Sequence, residues 1–260
     1  MAKSLAFVHQ KPLIPVHHLR GHLNAVALHA PNETSPETPS YPFLALVVSG
    51  GHTAIYRVDS DQDIKVISNT QDDAAGEAFD KVSRMLGLGY PGGPVIEREA
   101  LGGQETAHRF TLPNIKAAPL DFSFSGLKTA VLTKIKKHGH LPNGQDQKDL
   151  LASFQSAAVH QLVTRCVEAM KQEQVMSLVV SGGVACNQKL REELKVSVAK
   201  VEGNIFIPPK KWCTDNAAMI AAAAYKQAKI YIQRGAHADD DLLNAMSSWA
   251  VNDFIDPLGI

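Results

Sequence analysis

The same six residues, Leu-Val-Val-Ser-Gly-Gly, occur twice in this chain, at 46–51 and again at 178–183. In both copies a short apolar run, typical of a buried strand, ends in Ser-Gly-Gly. Glycines at such a turn allow backbone N–H groups to approach a phosphate or a carboxylate without interference from a Cβ atom. Neither copy matches the dinucleotide-binding or P-loop pattern. The repeat is explained either by chance and the common features of strand ends, or by two glycine loops with comparable roles around one cleft.

Predicted strands alternate with predicted helices, and this order indicates an α/β protein rather than separate α and β halves. The predicted strands are 12–16, a run from Phe43 to the first Gly-Gly, Thr53–Val58, 177–180 and 204–207. Residues 2–8 are predicted to be the end of a helix. Further predicted helices are 18–29, 72–86, a stretch after Pro94, 149–172, 188–200 and 217–234. Residues 30–40 are rich in proline and are expected to form a surface loop or an interdomain linker.

Composition excludes several classes of protein. The 260 residues carry 26 lysines and arginines against 26 aspartates and glutamates, which excludes a strongly basic nucleic-acid wrapper but allows a local basic patch. The 3 cysteines are widely spaced and form no Cys-x-x-Cys pair, so we expect a reducing compartment and no disulfide framework. No apolar run reaches the roughly 20 residues of a membrane span. The cytoplasm is the predicted location.

Two histidines form a candidate metal-ligand pair. On a helix, His18 and His22 project from one face and could share a metal ion. Because the chain contains 11 histidines, an accidental pairing is the alternative. A zinc peptidase of the His-Glu-x-x-His type needs a glutamate after the first histidine, and Leu19 stands there, so this hydrolytic route is disfavoured.

The third ligand must come from elsewhere, and the best candidate is Asp215. The alternative is that Thr214 or Asp215 caps the predicted helix 217–234. Capping and metal binding do not exclude each other, since a carboxylate has two oxygens. Cys213 is a possible soft ligand, but nothing else in the sequence builds a thiolate site.

Three further segments carry polar side chains at regular spacing. Asp73, Glu77 and Asp80 stand at helical spacing, for which a solvated helix face is the simplest interpretation. Residues 121–128 alternate Phe and Ser, which predicts a strand that leads into a turn. Basic residues cluster at Lys128, Lys134, Lys136, Lys137, Lys189, Arg191, Lys210 and Lys211. These clusters are read as solvated faces, with contact to a phosphate backbone as the alternative.

Seven motifs occur in order over nearly the whole chain: VHHLRGH at 16–22, VVSGGHT at 47–53, DDAAGEAFDKV at 72–82, YPGGP at 90–94, DFSFSGLKT at 121–129, SGGVACN at 181–187 and CTDNAAMIA at 213–221. On these motifs the chain resembles the bacterial tRNA threonylcarbamoyladenosine synthesis transferases, formerly labelled O-sialoglycoprotein endopeptidases. The resemblance implies the two-lobed α/β fold of actin, sugar kinases and heat-shock ATPases. It further implies a first-lobe remnant at 1–40, a second lobe at 41–215, and a C-terminal helix and tail at 216–260 that return to the first lobe.

The resemblance also implies roles for individual residues. The family's metal ligands match His18, His22 and Asp215, with ferrous iron expected and zinc as the alternative. The loop that holds threonylcarbamoyl-AMP matches Val47, Val48, Ser49, Gly50 and Gly51. Further substrate or nucleotide contacts match Asp80, Gly93, Glu97 and Asn187. Cys186 and Ala217 stand where the family more usually has serine or alanine, and glycine.

The implied reaction transfers the threonylcarbamoyl group to N6 of the adenosine next to the anticodon, in tRNAs that read codons beginning with A. The metal would act as a Lewis acid while glycine-loop amides stabilise developing negative charge. This route needs no covalent enzyme intermediate, and the sequence presents no poised nucleophile. The implied partners are tRNA and the TsaB- and TsaE-like proteins of the bacterial complex, with no membrane. The alternatives are a non-catalytic scaffold subunit and a metallopeptidase.

The family pattern opens with a strand and a phosphate loop that would precede Met1. The chain is therefore expected to be truncated at its N-terminus, with weak or absent activity from these residues alone.

Overall fold

The computed structural model describes residues 1–233 except Pro12, Pro31, Gln62 and Asn114. The helices are α1 (Ala2–His9), α2 (His18–Asn24), α3 (Ala75–Met85), α4 (Gly92–Glu99), α5 (Ser125–His138), α6 (Gly144–Glu173), α7 (Gln188–Ala199), α8 (Lys210–Cys213) and α9 (Ala217–Gln233). The strands are β1 (Phe43–Val48), β2 (Thr53–Val58), β3 (Ile64–Asn69), β4 (Ser177–Ser181) and β5 (Asn204–Phe206). Short 3-10 turns cover Ala25–Ala27 and Gly183–Cys186. None of the helices in these described ranges is long and apolar enough to cross a membrane.

Within the described residues the strands form one sheet in the order β3-β2-β1-β4-β5. The hairpin partners β1 and β2 are antiparallel, as are β2 and β3, whereas β1 pairs in parallel with β4 and β4 with β5. The two copies of the repeated hexapeptide therefore lie on adjacent parallel strands, with Val47 opposite Ser181. Both Ser-Gly-Gly turns emerge at the same edge of the sheet, which favours two loops around one cleft over a chance repeat.

The central strand β1 is buried on both faces, as its unbroken apolar run requires. Because side chains alternate along a strand, Leu46 and Val48 pack on the side of α3 and α6, where Phe79 and Phe154 meet edge to face at 5.1 Å between ring centroids. Val47 faces the opposite side and packs with residues of α2. Helix α2 is thereby fixed against the sheet.

The predicted helical faces are largely confirmed. The long helix α6 buries its whole predicted face, which consists of Leu151, Phe154, Ala158, Leu162, Cys166 and Met170. The predicted helices near 2–8, 72–86 and 188–200 and the predicted strands near 177–180 and 204–207 agree with α1, α3, α7, β4 and β5 to within a few residues. Of the predicted helix 217–234, Arg234 lies outside the described residues, as do residues 235–260 of the predicted tail.

Several points of secondary structure differ from the sequence predictions. Residues 13–16 belong to no strand, because no strand among the described residues pairs with them, and Pro12 lies outside those residues. The predicted helix 18–29 ends as an α-helix at Asn24 and closes in the 3-10 turn. Strand β3 was not predicted, because it lies at the edge of the sheet and its exposed middle residues weaken the apolar signal.

The segment 121–128 forms no strand beyond a single bridge between Thr70 and Phe122. Instead, helix α5 begins at Ser125. The carboxylate of Asp72 accepts hydrogen bonds from the backbone N–H groups of Phe124 and Ser125 and from the hydroxyls of Ser123 and Ser125. These N–H groups have no partner inside a helix, so a carboxylate from a distant segment starts the helix.

Candidate metal centre and adjoining pocket

Helix α2 carries both candidate histidines, His18 at its first position and His22 in its last turn. The ring nitrogen Nδ1 of His17 accepts a hydrogen bond from the backbone N–H of Leu19 at 3.1 Å and caps the helix. His18 and His22 then lie one turn apart, with their rings edge to face and the centroids 4.9 Å apart. The expected one-face arrangement of the pair is confirmed.

The third candidate, Asp215, reaches the same place from the other end of the chain. Its Oδ1 lies 3.4 Å from Nε2 of His18 and 3.2 Å from Nε2 of His22. Helices α2 and α9 approach closely at Gly21, where a Cβ atom would lie 2.9 Å from Cδ1 of Ile220. This close crossing holds the segment before α9 beside the two histidines.

The predicted cap of α9 needs a correction. Oδ1 of Asn216, rather than Thr214 or Asp215, accepts the hydrogen bond from the backbone N–H of Met219, at 2.9 Å. This is the bond of an N-cap residue to the third residue of its helix. The Asp215 carboxylate therefore faces the histidines without a capping role.

Electrostatics favour a neutral imidazole at His22 and at the nearby His52. Burial is the main cause that lowers the pKa of His22, followed by the charge of His18, while Asp215 acts in the opposite direction. Burial and the charges of His18 and His17 likewise lower the pKa of His52. A metal binds neutral imidazole, so these shifts favour the ligating form. His52 is a neighbour of the cluster that sequence reasoning did not single out, although it lies in the VVSGGHT motif.

The donor set fits a transition metal. One ligand atom from each of His18, His22 and Asp215 lies within 4.8 Å of the other two. Two imidazole nitrogens and one carboxylate oxygen suit ferrous iron or zinc. Leu19, in the place of a peptidase's general base, is buried in the apolar cluster beneath the sheet. The cluster can therefore hold a metal, but it lacks the base of the His-Glu-x-x-His peptidases.

A pocket of about 210 Å³ opens beside this cluster. Its lining comes from both glycine loops, from α3 and α4, and from the segment before α9: Gly50, Gly76, Phe79, Asp80, Tyr90, Pro91, Gly93, Pro94, Glu97, Gly183, Val184, Cys186, Asn187 and Thr214. Thr214 precedes the ligand Asp215, and Gly50 lies two residues before His52, so the pocket and the metal cluster adjoin at two points of the chain.

Five of the nine residues predicted to contact substrate line this pocket: Gly50, Asp80, Gly93, Glu97 and Asn187. The side chains of Val47 and Val48 are instead buried in the two apolar clusters, so these residues offer only their backbone. Ser49 closes the turn of the loop, where its Oγ accepts a hydrogen bond from the backbone N–H of His52 at 3.1 Å. Gly51 is exposed in the same turn.

Hydrogen bonds orient the polar side chains of the pocket wall. Asp80 accepts from the backbone N–H of Gly92, and Glu97 from that of Gln188, each at 2.6 Å. Asn187 caps α7 through the backbone N–H of Leu190 at 3.0 Å and donates from Nδ2 to the Gln155 side chain at 2.9 Å. Such bonds hold the three side chains in fixed directions.

The acidic residues of α3 and its approach are not a common solvated face. Asp73 pairs with Lys81 at 2.6 Å and with Lys128 at 2.7 Å. Asp80 points into the pocket wall. The Glu77 side chain is 44% exposed and pairs with Lys81 at 2.8 Å. The three carboxylates therefore have different partners and environments, which their helical spacing alone does not reveal.

A partly exposed thiol in the pocket wall also departs from the sequence analysis, which found no poised nucleophile. A hydrogen bond with the Cys213 side chain is the main cause that lowers the pKa of Cys186 to about 7. Burial opposes this shift, while the charges of Arg191 and Lys210 support it. A thiol with such a pKa is substantially ionised at neutral pH.

Solved structures share this fold. The structure of full-length HypF in the phosphate- and nucleotide-bound form matches 88% of this chain and 45% of its own, with a TM-score of 0.66 and 12% identity. The structure of HypF from T. kodakarensis matches 92% of this chain and 40% of its own, with a TM-score of 0.61 and 15% identity. At these identities the likeness concerns the fold alone, and it agrees with the α/β class expected from the sequence.

Curated relatives are closer in sequence. A tRNA N6-adenosine threonylcarbamoyltransferase of Trichlorobacter lovleyi is 46% identical over 252 residues, which cover 97% of this chain and 70% of the relative. A protein of the same name from Anaeromyxobacter sp. strain Fw109-5 is 48% identical over 249 residues, covering 95% of this chain and 71% of the relative. The family model described as "TsaD: tRNA N6-adenosine threonylcarbamoyltransferase" matches residues 1–222. By fold, motifs and sequence, the chain belongs to the tRNA N6-adenosine threonylcarbamoyltransferase family.

Proposed function

We propose that this chain transfers the threonylcarbamoyl group of threonylcarbamoyl-AMP to N6 of the adenosine next to the anticodon, in tRNAs that read codons beginning with A. The observation that carries the proposal is the convergence of His18, His22 and Asp215 next to a pocket lined by both glycine loops. The exocyclic amine attacks the carbamoyl carbon, the bond from that carbon to the phosphate oxygen breaks, and AMP leaves with the bonding electrons.

Different residues of the pocket are suited to bind different parts of the acyl-adenylate. Backbone N–H groups of the glycine loops at Gly50 and Gly183 are suited to the phosphate, since they approach it without a Cβ atom. Asp80, Glu97 and Asn187 are held in fixed directions by their hydrogen bonds and are suited to the polar groups of the nucleoside. Gly93 and the backbone of Val47, Val48, Ser49 and Gly51 complete the proposed contact set.

His18, His22 and Asp215 would hold the metal, with ferrous iron proposed and zinc as the alternative. When bound, this metal supplies Lewis-acid polarisation of the carbamoyl or phosphate oxygens. The lowered pKa of His22 keeps the ligand neutral, so that protons compete weakly for the site.

The tRNA would meet the protein through local basic patches, because the formal net charge is +0. Helix α5, with Lys134, Lys136 and Lys137, is the proposed patch. TsaB- and TsaE-like proteins are the proposed partners, and the cytoplasm is the proposed location because the substrate is tRNA. The division into lobes at 1–40, 41–215 and 216–260 stays a prediction.

Metal binding by three variants tests the site. His18→Ala and Asp215→Ala should each lose most of the ferrous iron that the full chain takes up on anaerobic reconstitution. His160→Ala, at an exposed position of α6, is the matched control and should keep it. If the site variants bind as much iron as the control, the assignment of the ligands is wrong.

Turnover then tests the activity itself. Threonylcarbamoyl-AMP and unmodified tRNA are supplied together with the partner proteins, and modified adenosine is quantified by mass spectrometry after nuclease digestion. Product formation that depends on His18 and Asp215 supports the transferase. Iron binding without any product would instead point to the non-catalytic scaffold subunit.

A further inference from the structure

Two of the three cysteines meet at the rim of the pocket, although they are distant in the sequence. Cys186 ends the 3-10 turn after β4 and lines the pocket. Cys213 is the last residue of α8 and is buried. The third cysteine, Cys166, is buried in the core on α6. All three are free thiols.

Arg191 ties the two cysteine-bearing segments together. Its Nε donates to the carbonyl oxygen of Ala185 at 2.6 Å, directly before Cys186. Its Nη2 donates to the carbonyl oxygen of Pro208 at 2.8 Å and to Sγ of Cys213 at 3.1 Å. One guanidinium therefore fixes both segments and places a positive charge beside the sulfur atoms.

Both sulfur atoms are directed at the same short stretch of backbone. The thiol of Cys186 donates to the carbonyl oxygen of Lys210 at 3.6 Å, and the thiol of Cys213 to that of Pro208 at 3.4 Å. The two side chains also lie close enough that each shifts the pKa of the other, lowering that of Cys186 and raising that of Cys213. Proximity of the two cysteines is the first requirement for a disulfide.

The two thiols differ in their exposure to solvent, as an attacking thiol and a second, shielded thiol should. Cys186 is partly exposed and faces the pocket, whereas Cys213 is fully buried. Only Cys186 is open to a reagent from solution, and Cys213 lies directly behind it. The positive charges of Arg191 and Lys210 favour the thiolate of Cys186, which is the nucleophilic form.

We propose that Cys186 and Cys213 are a peroxide-reactive thiol pair that closes to an intramolecular disulfide in the wall of the pocket. The Cys186 thiolate attacks one oxygen of hydrogen peroxide, which breaks the O–O bond and yields a sulfenic acid and hydroxide. Cys213 then attacks the sulfenic sulfur, the S–S bond forms, and the sulfenic oxygen leaves with the thiol proton as water. Both thiols are oxidised by two electrons in total, and the peroxide is reduced.

The expected reactivity of Cys186 follows from its environment. At pH 7 a thiol with a pKa of about 7 is roughly half ionised, against ~3% for an unperturbed thiol with a pKa of ~8.5, a ratio of ~16. The lower basicity makes each thiolate ~5-fold less nucleophilic. We therefore expect Cys186 to react with iodoacetamide about threefold faster than an unperturbed cysteine in a model peptide at pH 7.

The test follows the thiols by mass spectrometry and is independent of transferase activity. The reduced full chain is treated with a small excess of hydrogen peroxide at pH 7, alkylated and digested. The expected product is one linked peptide pair, Cys186 with Cys213, that has lost two hydrogen atoms and is restored by dithiothreitol. Cys166 should remain reduced.

Variants separate the two steps. Cys213→Ser should form no linked pair and should accumulate a Cys186 sulfenic acid that dimedone traps. Cys166→Ala is the matched control and should form the linked pair as the parent does. The proposal is overturned if the parent chain oxidises Cys186 without forming the linked pair, or if Cys186 reacts no faster than the model peptide.

Discussion

Replacing Gly76 by alanine tests how tightly the first glycine loop is packed against helix α3. Gly76 is the second residue of α3, and its N–H donates to the carbonyl oxygen of Ser49 at 3.2 Å. A Cβ atom there would lie 2.6 Å from that oxygen and 2.8 Å from both Cα and N of Gly50. These are backbone atoms, so no side-chain rotation relieves the overlap, and α3 must move away from the loop.

The magnitude follows from two opposing terms. Overpacking against backbone destabilises by roughly 1–3 kcal/mol, while replacing glycine by alanine gains about 0.4–1 kcal/mol from the unfolded state. Gly126 is the matched control, because it is also the second residue of a helix and a Cβ atom there meets nothing within 4 Å. The gain cancels between the two variants, so Gly76→Ala should be about 1–3 kcal/mol less stable than Gly126→Ala. For a chain of this size that is roughly 2–12 °C in Tm.

Urea unfolding followed by circular dichroism measures this difference, with AMP binding by calorimetry as a second readout. Gly76→Ala should lower both the urea midpoint and the affinity for AMP, because the displaced loop lines the pocket. Gly126→Ala should raise the midpoint slightly and leave AMP binding unchanged. Equal midpoints for the two variants would refute the argument that the loop and α3 are in rigid contact.

Four other perturbations have defined outcomes. Burial raises the pKa of Asp73, but hydrogen bonds from two lysines outweigh it and lower the pKa below its ordinary value near ~3.9. The lysine contacts therefore stabilise the folded chain at neutral pH, and this contribution is lost as the pH falls below about 4. Asp73→Asn should therefore lower the urea midpoint at pH 7 and approach the parent near pH 3. Phe154→Ala should destabilise by about 3–5 kcal/mol in the same assay, because its side chain is fully buried against Phe79. Asn187→Ala should destabilise the fold by roughly 1–2 kcal/mol because α7 loses its N-cap. A variant as stable as the parent would contradict this. If the chain holds its proposed metal, a chelator should lower the calorimetric Tm by the equivalent of about 3–4 kcal/mol at metal concentrations of 100–1,000 Kd. The effect should fade in acid, where protons compete with the metal for its ligands.

Much of the fold is predictable from local patterns. Every residue that the apolar period assigns to the inner face of α6 is buried, since a helix that packs on a core must repeat its apolar side chains each turn. The unbroken apolar run of β1 predicts a strand buried on both faces. Edge strand β3, by contrast, is not predicted, because half of its residues face solvent and interrupt the apolar pattern.

The candidate site is predictable only in part. The spacing of His18 and His22 determines that both rings share a helix face, but their spacing says nothing about which carboxylate meets them. Local sequence names Asp215 as the best third candidate, with a cap at Thr214 or Asp215 as the alternative, and the structure gives the capping role to Asn216. The family resemblance implies Asp215 as well, and the structure places its carboxylate beside both histidines.

By itself, the sequence determined the α/β class, the buried faces and the two glycine loops, because each depends on residues within a few positions of one another. Only the tertiary structure decided that the loops lie side by side, that Asp215 reaches the histidines, that Asp73 pairs with Lys128, and that Cys186 meets Cys213. These contacts join residues far apart in the chain. They depend on the strand order of the sheet and on the crossing of α2 with α9, and no short-range period in the sequence records either of them.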